Sequence, residues 1–275
     1  MNKLIPRLEF LAQSLFWSQN FCPHCGSQDL QEVAKKYKSI GIEHCNDCGL
    51  FFTSPIYKSS FFSDFYDKLY QAEGSTTDMP NAEQLSDLIS KKFEGSDKYF
   101  SDRIKAISDF LEGRNLLEIG SSWGYFIYQA KLQGFNVTGI EISDTRRQFG
   151  RENLGVDILK NISNLGSKKF DLIYTAHTLE HFTDLSTIFT ELYEHLEIDG
   201  KLIIEVPNFD FLAYGNSLLS IIGAVHPVGF SSKFFEDNLP KYGFKSLKFY
   251  DSWDKFPNDS NSKSSGDILL LLAEK

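Results

Sequence analysis

Residues 115–141 constrain the fold more than any other part of the chain. An apolar run, Asn115 to Ile119, leads into Gly-Ser-Ser-Trp-Gly. An amphipathic stretch over 124–134 follows, and then Asn-Val-Thr-Gly-Ile ending on Glu141. The pattern reads as a buried strand, a glycine turn opening a helix, and a second strand that ends on a carboxylate. Gly120 permits the tight turn, and Gly124 lets the helix start lie close to a ligand. Glu141, 21 residues after Gly120, sits at the carboxyl end of the second strand, where it can accept hydrogen bonds from ribose hydroxyls. The spacing is Glu-x-Gly-x-x-x-Gly, not the Gly-x-Gly-x-x-Gly that packs backbone amides against a pyrophosphate. Ser121, Ser122 and Trp123 occupy the turn, and Glu118 adds negative charge beside it. A phosphate is unwelcome there, whereas a cationic sulfonium with an amino-acid tail is not.

Two further blocks follow in order. Phe170-Asp-Leu-Ile-Tyr-Thr-Ala-His177-Thr-Leu-Glu-His181 reads as a buried strand entering a loop and helix. Asp199-Gly-Lys-Leu-Ile-Ile-Glu-Val-Pro207 reads as a turn and another strand. With the glycine turn, these blocks closely resemble class I S-adenosylmethionine-dependent methyltransferases. The resemblance implies that cofactor. It also implies a site at the carboxyl ends of the strands, as in open α/β sheets generally. There Glu118, Gly120, Ser122 and Gly124 line the first loop, and Glu141 and Ile142 the second. Asn161 and Ile162 fall where the family meets the adenine edge, although the acidic residue often found there is missing. Thr175, Ala176 and His177 end the fourth strand beside the methionine moiety and methyl group. Trp123 or Tyr125 could wall the cofactor or pack in the core.

Strands are expected at 115–120, 136–142, 155–159, 170–176, 201–207, 246–252 and 267–274, with helices at 124–134, 143–153, 184–196 and 231–242. Apolar spacing over 82–112 gives two more helices broken near Gly95. Alternating strands and helices define a parallel sheet. The last two strands, joined by a Pro/Asn/Ser-rich loop, form an antiparallel hairpin. The fold class is therefore α/β: a Rossmann-like seven-stranded methyltransferase sheet with its last strand antiparallel, preceded by a small zinc ribbon.

That ribbon rests on all four cysteines: Cys22-Pro-His-Cys25, nineteen residues, then Cys45-Asn-Asp-Cys48. Paired Cys-x-x-Cys knuckles suit a tetrahedral zinc, and four thiolates leave no open position, which makes the ion structural. Gly26 and Gly49 follow each knuckle where a turn needs positive φ. Two disulfides or a redox pair are the rival reading. The expected domains are an amphipathic helix over 1–20, the ribbon over 21–54, an aromatic linker or flap over 55–81, and the methyltransferase domain over 82–275.

Net charge is −9, and residues 1–80 carry seven Lys/Arg against nine Asp/Glu, so no basic stripe for nucleic acid stands out. Neither a secretory leader nor a membrane span is evident, and a cytoplasmic protein is expected. The 20 residues from Phe211 to Phe230 contain no charged side chain, and read as a lid or substrate wall, with dimer or membrane contact as rivals. Candidate bases are His226, in a His-x-x-x-Phe-Ser segment like one its relatives place over the substrate, then His177 and His181, with Tyr174 and Tyr214 behind them. His195 reads as a surface residue. The expected activity is O-methylation of a small-molecule or sugar/glycan acceptor, in a bacterial surface-polysaccharide or secondary-metabolite pathway. Its alternatives are an RNA or protein methyltransferase that docks substrate on the ribbon, and a non-catalytic cofactor-binding protein. A homodimer is compatible with the sequence.

Overall fold

A computed structural model describes residues 21–36, 40–54, 78–212, 222, 226–260 and 266–275. The expected helix at 1–20, the aromatic segment at 61–70 and most of 211–225, Tyr214 included, lie outside the described residues. Seven strands form the main sheet: β4 (Asn115–Ile119), β5 (Asn136–Ile140), β6 (Ile158–Leu159), β7 (Phe170–Ala176), β8 (Leu196–Pro207), β10 (Lys245–Tyr250) and β11 (Ile268–Glu274). Their order is β10-β11-β8-β7-β4-β5-β6, with β11 antiparallel to both neighbours and the pairings among β8, β7, β4, β5 and β6 all parallel. This is the expected α/β methyltransferase sheet. Its central strands are nearly continuous apolar runs because both faces are covered. Leu116, Leu172, Tyr174 and Ile203 point to one face, and Leu117, Ile173, Leu202 and Ile204 to the other, following the two-residue period of a strand.

The first face packs against α1 (Ala82–Ser90), α2 (Ser101–Phe110) and α3 (Tyr125–Leu132). Asn81 and Gln84 close a capping box at the start of α1. A short α4 (Asp144–Phe149) follows β5, with Ser143 as its cap. The opposite face is covered by α5 (Leu185–His195) and α6 (Ser232–Asn238). Two expectations shift in detail. The sixth strand is only two residues long, and β8 begins at Leu196, because Phe170 pairs with Leu196 before a register shift.

A second, smaller sheet contains β1 (Leu30–Lys36), β2 (Ile40–Cys45) and β3 (Phe51–Ser54). Cys22 and Cys25 lie just before β1, Cys45 ends β2, and Cys48 lies in the turn that leads to β3. A fourth strand, β9 (Val228–Gly229), comes from the far end of the chain and pairs antiparallel with β3, Phe51 opposite Gly229 and Phe52 opposite Val228. Nothing in the sequence announced this pairing. It places the end of the expected lid inside the ribbon's own sheet. Cys22, Cys45, Cys48, Leu50 and Phe52 are buried in the same apolar cluster as Phe189, Phe234 and Phe235 of the main domain. The cysteine module is therefore sewn into the body by backbone pairing and a shared core.

Asn238 closes that seam. Its buried amide nitrogen donates to the Cys48 carbonyl at 3.0 Å and to the Phe234 carbonyl at 2.7 Å. Removing it strands a buried acceptor, a cost of about 1–3 kcal/mol. Asn238→Ala is expected to lower global stability by that amount in denaturant titration and to speed amide exchange over 45–54. Unchanged exchange there would show that the seam is held elsewhere.

Candidate functional site

The loops at the carboxyl ends of the parallel strands converge as the sequence implied. Gly120 has φ +79° and Gly124, which caps α3, has φ +86°. A Cβ on Gly120 would sit 2.1 Å from Thr178 Oγ1, so the turn after β4 lies directly against the loop after β7. Ser122 is also left-handed, at φ +50°. Its amide donates to Glu141 Oε2 at 3.0 Å, and the Ser143 amide donates to Glu141 Oε1 at 2.8 Å. Glu141 thereby ties the glycine turn to the end of β5. Burial raises its carboxyl above the usual range, and these two amides together with Arg146 and Arg147 pull it back. An ionised carboxylate has about four lone-pair sites, so two remain for a ligand.

Several buried polar atoms around this edge have no hydrogen-bond partner among the described residues. They include Glu118 Oε2, Trp123 Nε1 and Thr175 Oγ1. Glu118 is held well above the ordinary carboxylate range, first by burial and then by repulsion from Glu141. Trp123 is fully buried against Phe93, Tyr125 and Phe149, which makes it core and not an open cofactor wall. Ile142, by contrast, is 41% exposed at the end of β5, an apolar surface a flat ring can cover. Asn161 accompanies it across the edge, its amide donating to Asn164 Oδ1 at 3.1 Å, and Ile162 is buried beneath.

The three candidate bases are not equivalent. His177 is forced to φ +48° at the end of β7 and lies between two buried carboxylates, with Nδ1 3.6 Å from Glu180 Oε1 and Nε2 3.5 Å from Glu205 Oε1. Glu180 and Glu205 push the imidazole up to about 10, so at neutral pH it is a cation and a poor base. Glu205 also receives Arg103 Nη1 at 2.8 Å and Trp253 Nε1 at 2.6 Å. His181 and His226 face each other, with ring centroids 4.7 Å apart. Tyr174 is buried and its hydroxyl stays protonated, held up by burial and by Glu205. Sequence reasoning missed Glu180, Glu205 and Arg103. A lone glutamate inside the apolar run Leu-Ile-Ile-Glu-Val was a usable signal for Glu205, whereas Arg103 lies 102 residues away and could not be paired with it by inspection. His195 hydrogen-bonds the Lys168 carbonyl at 2.8 Å and has no role at this edge.

In the ribbon, none of the four cysteines is in a disulfide. Cys22 and Cys48 sulfurs lie 3.5 Å apart, as do those of Cys25 and Cys45. Tetrahedral zinc with bonds of about 2.3 Å requires sulfurs about 3.8 Å apart, so the cluster needs only slight expansion. Gly26 and Gly49 have φ +74° and +75°, as the knuckles demand. A hydrogen bond with Cys48 draws Cys22 down to about 6, while burial pushes Cys25 up to about 11. Several thiolates cannot coexist here without a cation.

The methyltransferase domain family matches residues 93–247, more than half of the chain, and the chain belongs to that family. It is an S-adenosylmethionine-dependent methyltransferase with a possible four-cysteine metal site in its small antiparallel sheet. Among curated proteins it is 28% identical over 142 residues to a ubiquinone biosynthesis O-methyltransferase of Rickettsia bellii (strain OSU 85-389), covering 49% of this chain and 58% of that protein. To the protein of that name from Actinobacillus pleuropneumoniae serotype 7 (strain AP76) it is 29% identical over 136 residues, covering 45% of this chain and 57% of the relative. The chain thus spans little more than half the length of these relatives. Two solved structures share the fold. A SAM-dependent methyltransferase from Archaeoglobus fulgidus aligns at TM-score 0.50 with 21% identity, over 69% of this chain and 99% of its own. Haemonchus contortus phosphoethanolamine N-methyltransferase 2, in complex with S-adenosyl-L-methionine, aligns at 0.56 with 14% identity, over 82% of this chain and 61% of its own. Among the described residues no helix is long and apolar enough to cross a membrane.

The contact between Gly120 and Thr178 gives a direct test of the site's construction. Gly120→Ala adds a methyl into occupied space at a left-handed position, which typically costs about 1–3 kcal/mol of strain. Binding of S-adenosylhomocysteine is expected to weaken at least tenfold by calorimetry. Thr178→Ala in the same chain removes both Oγ1 and Cγ2, the two nearest atoms, and is expected to restore part of the loss. Unchanged affinity in Gly120→Ala would show that the two loops part easily.

Proposed function

We propose that this methyltransferase acts on a hydroxyl oxygen of a small molecule, with a sugar or glycan hydroxyl as the leading acceptor, in a surface-polysaccharide or secondary-metabolite pathway. The observation that carries this reading is the cluster that Glu180 and His181, on the loop that touches Gly120 through Thr178, form with His226 from the segment leading into β9. An alcohol must lose its proton as it attacks, and this is the polar cluster placed to receive it at the methyl-transfer edge. The printed activity of the relatives, an O-methylation in ubiquinone biosynthesis, supports oxygen as the acceptor atom.

The cofactor supplies an electrophilic methyl carbon on a sulfonium, which the acceptor oxygen takes as a neutral thioether departs. The chain's residues supply binding, alignment and exclusion of water. Glu141 offers its free lone pairs to the ribose hydroxyls, and Ile142, Asn161 and Ile162 flank the base. Gly120, Ser122 and Gly124 let the backbone approach. Glu118 balances the cofactor's positive charge, and Thr175 and Ala176 border the methyl group. The proton leaves through the cluster, with His226 as its key member and His177 as a fixed cation beside it. The ribbon holds a structural zinc on Cys22, Cys25, Cys45 and Cys48.

His226→Ala is expected to lower kcat by about 10²–10⁴-fold, the usual contribution of a group that removes a proton, with cofactor affinity unchanged. An acceptor panel read by mass spectrometry decides the atom, and methylation confined to amines would defeat the hydroxyl assignment. Glu118 gives a test by pH. In the free protein its carboxyl is raised, so a proton is bound above the ordinary carboxylate range. A cationic ligand favours the ionised form and expels that proton, so affinity should rise with pH across the interval between the ordinary and the raised value. Calorimetry in two buffers of different ionisation enthalpy is expected to show net proton release, absent in Glu118→Gln. Affinity that falls with pH would remove Glu118 from the cofactor site. Metal analysis is expected to find one zinc held by the ribbon, lost in Cys22→Ser. Its absence from protein that also lacks free thiols would favour disulfides.

A further inference from the structure

We propose that Glu180, His181 and His226 form a second divalent-metal site, separate from the ribbon, suited to zinc or a neighbouring first-row ion. The proposal rests on the hydroxyl-transfer reading above and names the form in which the cluster acts.

One ligand atom from each of the three residues lies within 4.8 Å of the other two. The residues come from two places: the turn after β7, and the segment that leads into β9. Bonds of about 2.0–2.2 Å to imidazole nitrogen and carboxylate oxygen bring neighbouring donors to roughly 3.4 Å in a tetrahedral shell. The donors lie within 4.8 Å of one another, so the cluster closes on an ion by a contraction of at most about 1.4 Å.

Glu180 supplies the independent reason to expect a cation. It is 1% exposed, and neither carboxylate oxygen finds a hydrogen-bond partner among the described residues. A buried carboxylate in that state is costly unless a positive charge is brought to it. The His177 ring, 3.6 Å from one oxygen and shared with Glu205, stands beyond hydrogen-bond distance, while Glu205 has Arg103 as a partner of its own. A divalent ion would give the Glu180 carboxylate the direct partner it lacks.

The donor set selects the ion. Two nitrogens and one oxygen suit zinc, cobalt, nickel or iron, whereas magnesium and calcium prefer shells of oxygen. Three protein donors are one fewer than a closed structural shell, so a position stays open for a water or an acceptor oxygen. A hydroxyl bound there would be acidified by the ion and release its proton to solvent as the oxygen takes the methyl group and the carbon–sulfur bond of the sulfonium breaks. On this reading His226 matters to turnover as a ligand. The ribbon differs in kind, with four sulfurs and no vacancy.

Cobalt(II) titration of the intact chain, with the ribbon first saturated with zinc, tests the site without any acceptor present. Wild-type protein is expected to take one further equivalent, with weak visible bands and no thiolate-to-cobalt charge transfer. His226→Gln, His181→Gln and Glu180→Gln should each lose that equivalent while keeping the ribbon zinc. Retained S-adenosylhomocysteine binding will certify that each variant is folded. Wild-type protein that takes no second equivalent would overturn the proposal, and so would folded variants that all keep it. Should the second ion bind as described while no hydroxyl is methylated, the site stands and the acceptor reading falls. Should no second ion bind while His226→Ala still abolishes methylation, the site falls and His226 acts as the base itself.

Discussion

Four carboxylates lie buried at one edge of an otherwise apolar sheet: Glu118, Glu141, Glu180 and Glu205, each between 1% and 7% exposed. Burying ionised groups is expensive, and each must find donors or counter-charges, give up its charge, or wait for a ligand. The chain answers them differently, and the answers lay out the site. Glu141 is met by the amides of Ser122 and Ser143, which fixes the glycine turn. Glu205 is met by Arg103, Trp253 and His177, which ties α2 and the loop after β10 to β8. Glu118 has no counter-charge and Glu180 has His177 only at 3.6 Å, with no hydrogen bond to either oxygen, and these are the positions where a bound cation is proposed. The loops can meet at all because Gly120 has no side chain where Thr178 comes within contact.

The balance between His177 and its two glutamates shows why residue type alone misassigns chemistry. A histidine at the end of the fourth parallel strand reads as a base. Flanked by Glu180 and Glu205 it keeps its proton, and its value lies in being a charge. Both glutamates are correspondingly held below their ordinary values, against the burial that would raise them. The left-handed backbone at His177 aims the ring into that gap, and such strain persists only where the surroundings over-determine it.

Much of the architecture was legible because its signals are local. The apolar strands, the two glycines of the turn and the paired cysteine knuckles each report a constraint carried by a few neighbouring residues, and the sheet appears where they put it. What was not legible depends on residues distant in the chain. The union of β3 with β9 joins positions nearly 180 residues apart and involves only two residues of each strand, too little to leave a periodic trace. The pairing of Arg103 with Glu205 and of Asn238 with Cys48 is equally silent in one dimension. Of the residues proposed for the cofactor edge, Glu141 has the most legible signal, since it follows a strand at fixed spacing from a glycine turn. Glu180 was hidden inside a Leu-Glu-His block whose histidine drew the attention.

The union of β3 with β9 also gives the small sheet a reason to exist. His226, the proposed proton acceptor or ligand, lies in the segment just before β9, so its position depends on how that strand is held. One side of β9 is held by β3 and by the Thr53 amide, which donates to the Pro227 carbonyl at 2.9 Å. From the other direction, Phe209 donates to the Phe230 carbonyl at 2.9 Å, and its ring lies where a Cβ on Gly229 would need to be. Ser231 reaches the Gly49 carbonyl at 3.3 Å and caps α6, extending the seam to the second cysteine knuckle. A two-residue strand has too few bonds to hold itself in place. It is clamped between a cysteine module on one side and the end of β8 on the other, and so mounts the imidazole proposed to take part in methyl transfer. The ribbon is thus tied to the proposed site through the backbone of β3.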